Sequence, residues 1–350
     1  MCHLTGYIGN ENCVPILLKS LEIQEGIIGG QATGIATMIG HDISMNKDIG
    51  PVKDFKNKFQ MESATLGIGH TRYAFKNVKL AETNTKEKSH PFWNSNKSFI
   101  TMHNGTIFNF DVHVKKLESI GYQFRSKSSF LNKHTQTEAT DYCDSEIFSY
   151  LLEEELKKSA DIKECIRNSC KNLNGHFAFV VLHPSYPDTI FLANWMQPMF
   201  IGSSKNMAFF SSFQEGFSYL KDNKMEIIEP SKNILLTIQK DNITTEVLLP
   251  EKTTPRYVAN SEIWQQAIKT AIKENHNDVA SIWMYTYGNP DVVNMTKEEY
   301  DELVLNGFTF SPIVYKMLLD MIKSGEIYQK LEYVWEGGVE STPRYKFYLK

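Results

Sequence analysis

The 350-residue chain lacks the features that place a protein in a membrane or on nucleic acid. Its longest strongly apolar run, Phe177 to Leu182, is far too short to span a bilayer. Residues 1–20 have neither the basic start nor the unbroken apolar core of a signal peptide. Basic residues are not in excess, since 37 Lys and Arg stand against 41 Asp and Glu. We therefore expect a cytoplasmic protein with no membrane and no nucleic acid as partners.

Cysteine is sparse, and its pattern argues against a metal site or a disulfide framework. The count is odd, and no spacing between cysteines matches a zinc site. We expect reduced thiols, no metal and no cofactor. The five cysteines are Cys2, Cys13, Cys143, Cys165 and Cys170.

The position of Cys2, directly after Met1, is the most informative feature that is present. Removal of Met1 would leave an N-terminal cysteine, and the small side chain of Cys2 favours that removal. The residue would then carry a thiol nucleophile and an α-amine base together. Their reference pKa values, about 8.5 and about 7.7, both lie close to neutral pH.

Short apolar runs separated by turn residues predict many strands with few helices between them. This pattern favours an α+β layered domain over a doubly wound one. We expect helices over residues 15–25 and 145–157, the second with Asp144 as its N-cap. The expected strands are residues 4–9, 34–39, 65–70, 99–103, 175–182, 189–193, 207–211, 233–238 and 244–249.

The pattern changes after a linker at residues 250–255. Apolar spacing predicts a helix over 261–273, a capping box at Thr296 opens another, and Ser311 opens a third. A β-hairpin is expected around Gly337-Gly338. Helices followed by a hairpin predict a small α/β module over residues 256–350, of which a winged helix is one form. The module is acidic, so docking to another protein is a better hypothesis than DNA binding.

Several short polar motifs follow Cys2 along the first part of the chain. The motifs are residues 4–9, 30–36, 69–74, 90–92, 103–109, 144–146, 173–178 and 187–189. Each motif is weak alone, but their order and spacing are specific. Residues 1–250 resemble the glutaminase domain of class II, N-terminal-nucleophile glutamine amidotransferases, of the glucosamine-6-phosphate synthase and amidophosphoribosyltransferase type. The resemblance implies a four-layer α/β/β/α sandwich.

The resemblance assigns the chemistry to three residues. Cys2 would attack the side-chain amide of L-glutamine, form a thioester and release ammonia, with its own α-amine carrying the proton. The Asn104 side chain and the Gly105 backbone N–H would form the oxyanion hole. A bland alternative is that Cys2 fills a strand and that Asn104-Gly105 is an ordinary turn.

A second set of residues would bind the substrate. Arg72 would hold the α-carboxylate of glutamine through its planar fork, with Tyr73 beside it in the same motif. Asp144 would accept the α-ammonium, a role compatible with a helix cap. His70 and His103 flank the site and are expected to make structural hydrogen bonds. Cys143 is expected to serve in packing.

The chain departs from the family pattern in three respects. His3 follows the nucleophile where glycine is usual, and Phe75 stands where a hydroxyl would help to hold the carboxylate. No acceptor domain is recognisable, so the ammonia would go to a separate synthase subunit that residues 256–350 would dock. Two other functions stay open. One is a stand-alone amidohydrolase acting on a γ-glutamyl or related amide, and the other is a catalytically silent binding protein.

Overall fold

The computed structural model describes residues 2–74, 84–132, 137–220 and 225–350. The helices are α1 (Cys13–Gln24), α2 (Val52–Lys58), α3 (Phe110–Ser119), α4 (Glu146–Leu156), α5 (Ile162–Lys171), α6 (Ser261–Lys273), α7 (Val279–Gly288), α8 (Lys297–Leu305) and α9 (Ser311–Lys323). The strands are β1 (His3–Gly9), β2 (Ala32–Ile39), β3 (Asp42–Ile49), β4 (Leu66–Arg72), β5 (Phe92–Trp93), β6 (Ile100–Ile107), β7 (Ser128–Asn132), β8 (Thr137–Asp141), β9 (Gly175–Leu182), β10 (Ile190–Trp195), β11 (Phe200–Ser204), β12 (Met207–Ser211), β13 (Glu226–Ile228), β14 (Asn233–Ile238), β15 (Ile243–Glu246), β16 (Ile327–Glu336) and β17 (Val339–Leu349).

Two antiparallel sheets face each other in the N-terminal part. One has the strand order β13-β11-β12-β1-β4-β2-β3, and the other has the order β15-β14-β10-β9-β6-β5. Alternate side chains of both sheets, such as Ile68 on β4 and Val180 on β9, meet in one buried cluster. The predicted mixed α/β fold with antiparallel sheets is therefore confirmed.

Helices cover the outer faces of both sheets. Helix α1 begins at Asn12, whose side chain accepts a hydrogen bond from the Val14 N–H at 3.1 Å. Its apolar side packs Leu17 and Leu21 onto the first sheet. Helices α4 and α5 pack on the second sheet through Phe148 and neighbouring apolar side chains. Strand β1 thus lies inside the molecule, with partners on both edges and layers on both faces.

Two expectations about local structure are wrong. Strand β6 does not stop at residue 103 but continues through Asn104 and Gly105 to Ile107, so these residues do not form a turn. Asp144 is not the N-cap of α4, because that position belongs to Ser145. The Asp144 carboxylate instead accepts a hydrogen bond from the Ile107 backbone of β6.

The last hundred residues form helices α6–α9 and the hairpin β16–β17. The predicted bounds of α6 and the capping box at Thr296 are confirmed. The apolar cluster of this part also includes Ile27, Ile28 and Phe213, which precede the linker. The C-terminal elements therefore pack on the N-terminal layers and share a core with them.

Among the described residues, no helix has the combination of length and apolarity that crossing a membrane requires.

Candidate active site

Cys2 lies where the two sheets come together. It precedes β1 of the first sheet, and its backbone nitrogen donates a hydrogen bond to Oδ1 of Asn104 on β6 of the second sheet, at 3.1 Å. Cys2 and Asn104 are both buried. Removal of Met1 would turn this nitrogen into an α-amine that donates to the Asn104 side chain.

Gly105 follows Asn104 in the same strand and has backbone that only glycine adopts readily. Its φ angle is +144°, and an added Cβ would lie 2.0 Å from the carbonyl oxygen of His176 on the paired strand β9. Any side chain would push these strands apart. The requirement for glycine here comes from strand packing as well as from any approach of a substrate.

Ser212 supports the same corner of the site, and the sequence offered no signal for it. Its hydroxyl oxygen accepts hydrogen bonds from the Leu4 backbone N–H at 2.9 Å and from Asn104 Nδ2 at 3.3 Å. Ser212 thereby connects β1 to the Asn104 side chain. A serine that follows a strand is too common to be singled out without the fold.

Sheet register places Arg72 and Tyr73 beside Cys2. Strand β4 pairs with β1 so that Thr71 lies opposite His3, which brings the next residues of β4 next to Cys2. The Tyr73 backbone N–H donates to the Cys2 sulfur at 3.3 Å. The Cys2 thiol in turn donates to the Tyr73 carbonyl oxygen at 3.7 Å, so the Tyr73 backbone holds the Cys2 side chain through both its N–H and its carbonyl.

The Arg72 side chain is held from two sides. Its Nε donates to Oδ1 of Asn84 at 3.1 Å, and its Nη1 contacts the Cys143 sulfur at 3.5 Å. Burial raises the pKa of the Cys143 thiol, although Arg72 beside it acts in the opposite direction. Cys143 therefore stays neutral and lets the guanidinium keep its charge for an anionic ligand.

Asp144 approaches the site from the start of α4. Its carboxylate accepts hydrogen bonds from the Ile107 N–H at 2.9 Å and from the Ser145 hydroxyl at 3.2 Å. The Asp144 carboxylate is therefore held against Ile107, which lies two residues after Gly105 in β6. The arrangement keeps a negative charge at a defined place in the site.

One cavity of about 440 Å³ joins most of these groups. A volume of this size suits a small polar molecule such as an amino acid. Asn104 lies just behind the wall, with its side chain on the Cys2 nitrogen. The cavity is lined by the predicted residues Cys2, Arg72, Tyr73, Gly105 and Asp144.

Three buried histidines lie together at one side of the cavity, where His90 and His103 form part of its lining. His70 Nε2 lies 3.1 Å from the His103 carbonyl oxygen, and His103 Nδ1 lies 2.8 Å from the Ser145 hydroxyl. The His90 ring lies 3.8 Å from that of His70, centroid to centroid. Burial lowers the pKa of His103 to about 4 and lowers the pKa of the other two as well. The rings are therefore neutral near pH 7 and do not supply a charged acid.

A larger cavity of about 710 Å³ opens at the other end of β1, beside Gly9. Among the described residues, its lining contains no cysteine and no histidine, so it lacks the chemistry gathered around Cys2. Size therefore does not identify the site here, and the chemistry of the lining does.

Two residues named from the sequence, Met1 and Phe75, lie outside the described residues. Within the described ranges, no group of three or more His, Cys, Asp and Glu side chains is placed to hold a metal ion.

Comparison with known proteins points to one family. A model described as "Glutamine amidotransferase domain" matches residues 77–218, which include Asn104, Gly105 and Asp144 but neither Cys2 nor Arg72. The glutamine–fructose-6-phosphate aminotransferase (isomerizing) of Methanococcus maripaludis is 31 % identical over 256 residues, which are 71 % of this chain and 39 % of that protein. Its counterpart from Thermococcus kodakarensis is 25 % identical over 301 residues, covering 81 % of this chain and 46 % of that protein. The chain thus spans less than half the length of these relatives.

Two solved structures share the fold. The glutamine phosphoribosylpyrophosphate amidotransferase of B. subtilis, complexed with ADP and GMP, is 20 % identical with a TM-score of 0.57, and the match covers 78 % of this chain and 58 % of that chain. An allosteric regulatory enzyme of purine biosynthesis is 19 % identical with a TM-score of 0.59 and the same two coverages. From its sequence relatives, its matching domain model and this shared fold, the chain carries a class II glutamine amidotransferase domain, which is an enzyme domain of the N-terminal-nucleophile type.

Proposed function

We propose that this protein hydrolyses L-glutamine to glutamate and ammonia with Cys2 as the nucleophile, after removal of Met1. The observation that carries the proposal is the hydrogen bond of 3.1 Å between the Cys2 nitrogen and Asn104 Oδ1 at the wall of a cavity that also holds Arg72 and Asp144. A thiol, an amine, a cation and an anion in one small cavity suit a free amino acid with a side-chain amide.

The proposed reaction has two stages. The α-amine of Cys2 takes the thiol proton, the thiolate attacks the amide carbon, and the amine returns the proton to the departing ammonia. Water then cleaves the thioester and releases glutamate. The Asn104 side chain and the Gly105 N–H would stabilise the negative oxygen of each tetrahedral intermediate.

Arg72 and Asp144 would fix the two charged groups of glutamine. Arg72 offers a planar guanidinium to the α-carboxylate, and its contact with neutral Cys143 leaves its charge uncompensated there. Asp144, anchored on Ile107, offers its carboxylate to the α-ammonium. Tyr73 lines the cavity between Arg72 and the Cys2 sulfur. A γ-glutamyl amide carries the same two free groups, so this pair of charges recognises the glutamyl part of the substrate, and the substrate test below separates the two.

We further propose that the ammonia passes to a synthase carried by another subunit in the cytoplasm. Support for the transfer of ammonia comes from the matched relatives, whose names describe isomerising aminotransferases that use glutamine and fructose 6-phosphate. Residues 256–350, which share a core with the N-terminal layers, remain the candidate docking surface through their outer face. A pull-down in which their surface substitutions change nothing would count against this docking role.

The test is the release of glutamate and ammonia from glutamine by the purified protein, with intact mass to establish that Met1 is absent. The wild type should turn over glutamine, and Cys2→Ala should lose turnover while still binding glutamine. Cys13→Ala is the matched control, because Cys13 is a buried cysteine of α1 outside the cavity. A processed wild type that leaves glutamine intact but cleaves a γ-glutamyl amide would replace this proposal with the amidohydrolase. A processed protein that binds glutamine without cleaving it, even with a candidate synthase present, would favour the silent binding protein.

A further inference from the structure

The tip of the C-terminal hairpin touches the substrate-binding side of the cavity. The turn between β16 and β17 contains Gly337, whose carbonyl oxygen accepts a hydrogen bond from Asn84 Nδ2 at 2.7 Å. Oδ1 of the same Asn84 side chain accepts from Arg72 Nε at 3.1 Å. Two hydrogen bonds therefore connect the hairpin backbone to the guanidinium that faces the cavity.

Gln31 completes this connection from the other side. Its Oε1 accepts from Asn84 Nδ2 at 2.9 Å and from the Ala74 backbone N–H at 2.7 Å. The Asn84 amide is thus held between Gln31 and Gly337. An amide with both ends bonded has one orientation, so its oxygen is kept pointing at Arg72.

A second connection runs through Arg344 of β17. Its side chain is 1 % exposed, and its guanidinium donates to the carbonyl oxygens of Gly29 at 3.0 Å and Glu25 at 3.3 Å and pairs with Glu336. The charged group lies 5.4 Å from the centroid of the Tyr73 ring. A cation is attracted to the face of an aromatic ring, and the attraction is stronger where water is excluded.

Tyr73 connects Arg344 to Cys2. Its ring lies under Arg344, while its backbone N–H donates to the Cys2 sulfur. A displaced Tyr73 would therefore move the donor away from the thiol. The hairpin reaches both Arg72 and Tyr73 without lining the cavity itself.

We propose that the hairpin β16–β17 positions the glutamine-binding side of the active site, with Asn84 and Gly337 setting Arg72, and Arg344 setting Tyr73. This inference rests on the proposed function. Asn84 and Arg344 are positioning residues, since they act through Arg72 and Tyr73. The C-terminal elements thereby belong to the glutamine site of their own chain, whatever partner they also meet.

Gly337→Ala tests the first connection. A Cβ at Gly337 would lie 2.5 Å from Asn84 Nδ2 and 2.8 Å from Gln31 Oε1, so the Asn84 side chain must move. Loss of one hydrogen bond to a charged group should raise the KM for glutamine about tenfold and change kcat less than about threefold.

Gly325→Ala is its matched control. Gly325 also has a positive φ, +81° against +61° at Gly337, and it lies just before the same hairpin. An added Cβ there would find only Lys350 Nζ, at 3.7 Å. This variant carries the backbone strain without the contact, so its KM should equal that of the wild type.

Arg344→Met tests the second connection, with Arg344→Lys as the conservative variant. The first removes the charge over Tyr73, and the second keeps it. We expect Arg344→Met to slow alkylation of Cys2 by a glutamine-shaped electrophile about tenfold more than alkylation by iodoacetamide, and Arg344→Lys to recover part of that difference. Lys346→Met is the control, because Lys346 lies on the same strand as Arg344. Its ion pair, at 2.6 Å, is with Asp278 before α7 and not with the residues around Tyr73.

The outcomes separate this inference from the proposed function. A wild type that neither binds nor cleaves glutamine overturns both. A wild type that cleaves glutamine while Gly337→Ala and Arg344→Met, shown folded by circular dichroism, keep its KM and its labelling ratio overturns the positioning role alone. If Gly337→Ala unfolds, the KM of Asn84→Ala decides the first connection, because that change removes it without adding volume. If Arg344→Met unfolds, the labelling ratio of Tyr73→Leu decides the second, because that change removes the ring and leaves Arg344 paired with Glu336.

Discussion

The two sides of the cavity are built in different ways. The side of the proposed nucleophile, here called the nucleophile side, consists of Cys2, Asn104 and Gly105. Cys2 adjoins β1, which has a partner strand on each edge, and the other two lie in β6, where they pair with β9. The substrate-binding side begins at Arg72 and Tyr73, where β4 ends, and depends on Asn84, outside the strands, and on Arg344. One side is fixed by the sheet ladders, and the other by side chains from distant parts of the chain.

This difference separates reaction from recognition. A sheet ladder keeps its geometry when a neighbouring side chain changes, since it is fixed by many backbone hydrogen bonds. Hydrogen bonds between side chains such as Arg72 and Asn84 are few, and each one matters to the orientation of the guanidinium. Changes on the nucleophile side should therefore lower kcat, and changes on the substrate-binding side should raise KM.

Asn104→Ala is expected to have the largest effect. It removes the acceptor for the Cys2 nitrogen and a donor proposed for the oxyanion hole. We expect kcat to fall by about 10²- to 10³-fold with little change in KM. Asn233→Ala serves as the control, because the Asn233 side chain also forms hydrogen bonds with a backbone, that of Leu249. Asn233 lies in β14, three strands away from β6 in the same sheet. Steady-state ammonia release measures both variants. A rise in the KM of Asn104→Ala without a fall in kcat would contradict the separation of reaction from recognition between the two sides.

Arg72→Lys should have the next largest effect, on the other side. Lysine keeps the charge but loses the fork and the Nε–H that donates to Asn84. We expect the KM for glutamine to rise about 10- to 100-fold, with a smaller change in kcat. Arg125→Lys is the control, since Arg125 donates to a backbone carbonyl, that of Trp93, outside the cavity. Equal KM values for Arg72→Lys and the wild type would remove Arg72 from the binding set.

Glu25 lies where the hairpin packs on α1, since its backbone carbonyl accepts a hydrogen bond from Arg344. Its carboxyl allows a test through the pH dependence of the free energy of unfolding. Burial raises the pKa of the Glu25 carboxyl to about 8, although the Val52 N–H donates to it at 2.9 Å. Between the ordinary pKa near 4.5 and a value near 8, the unfolded chain releases this proton and the folded chain keeps it. The unfolded state therefore binds fewer protons, and the free energy of unfolding falls as the pH rises through that window.

Glu25→Gln removes the ionisable carboxyl and with it this fall in the free energy of unfolding. The loss of Tm between pH 5.5 and pH 8 should become smaller by about 4 °C, as measured by thermal unfolding at both values. Glu22→Gln, on the same helix, is the control. Partial burial raises the pKa of Glu22, but hydrogen bonds from Lys19 and Lys56 outweigh it, so the pKa is lowered. An unchanged pH profile in Glu25→Gln would show that Glu25 ionises normally in the folded protein.

The smallest expected effect concerns His103, which lines the cavity beside the nucleophile side. Burial lowers the pKa of His103 to about 4, so it does not titrate between pH 5.5 and 8. The acidic limb of kcat/KM in that range should belong to the α-amine of Cys2. His103→Gln should shift this limb by less than about 0.3 pH unit, whatever it does to the rate. A shift of a whole unit would make His103 the base.

Local pattern was sufficient for the elements with strong signals. Helix α6, the capping box at Thr296 and the hairpin around Gly337-Gly338 lie where the sequence placed them, because caps, apolar spacing and turn glycines act over a few residues. Strand β3 and helix α5 were missed. The first is polar and half exposed, and the second is short, with two cysteines on its buried face. The error at Asp144 has a similar origin, since an aspartate before a helix predicts a cap unless another backbone group, here Ile107, takes its carboxylate.

The sequence by itself determined the family, the antiparallel mixed fold and a set of candidate site residues, since these follow from motif order and local periodicity. It could not determine that Ser212 supports Asn104, that Cys143 faces Arg72, or that a hairpin near the C-terminus holds Asn84. Those contacts join residues from 71 to 253 positions apart, and nothing in the local sequence encodes such a pairing. Only the packing of the two sheets and the seating of the C-terminal elements on them decided which side chains meet.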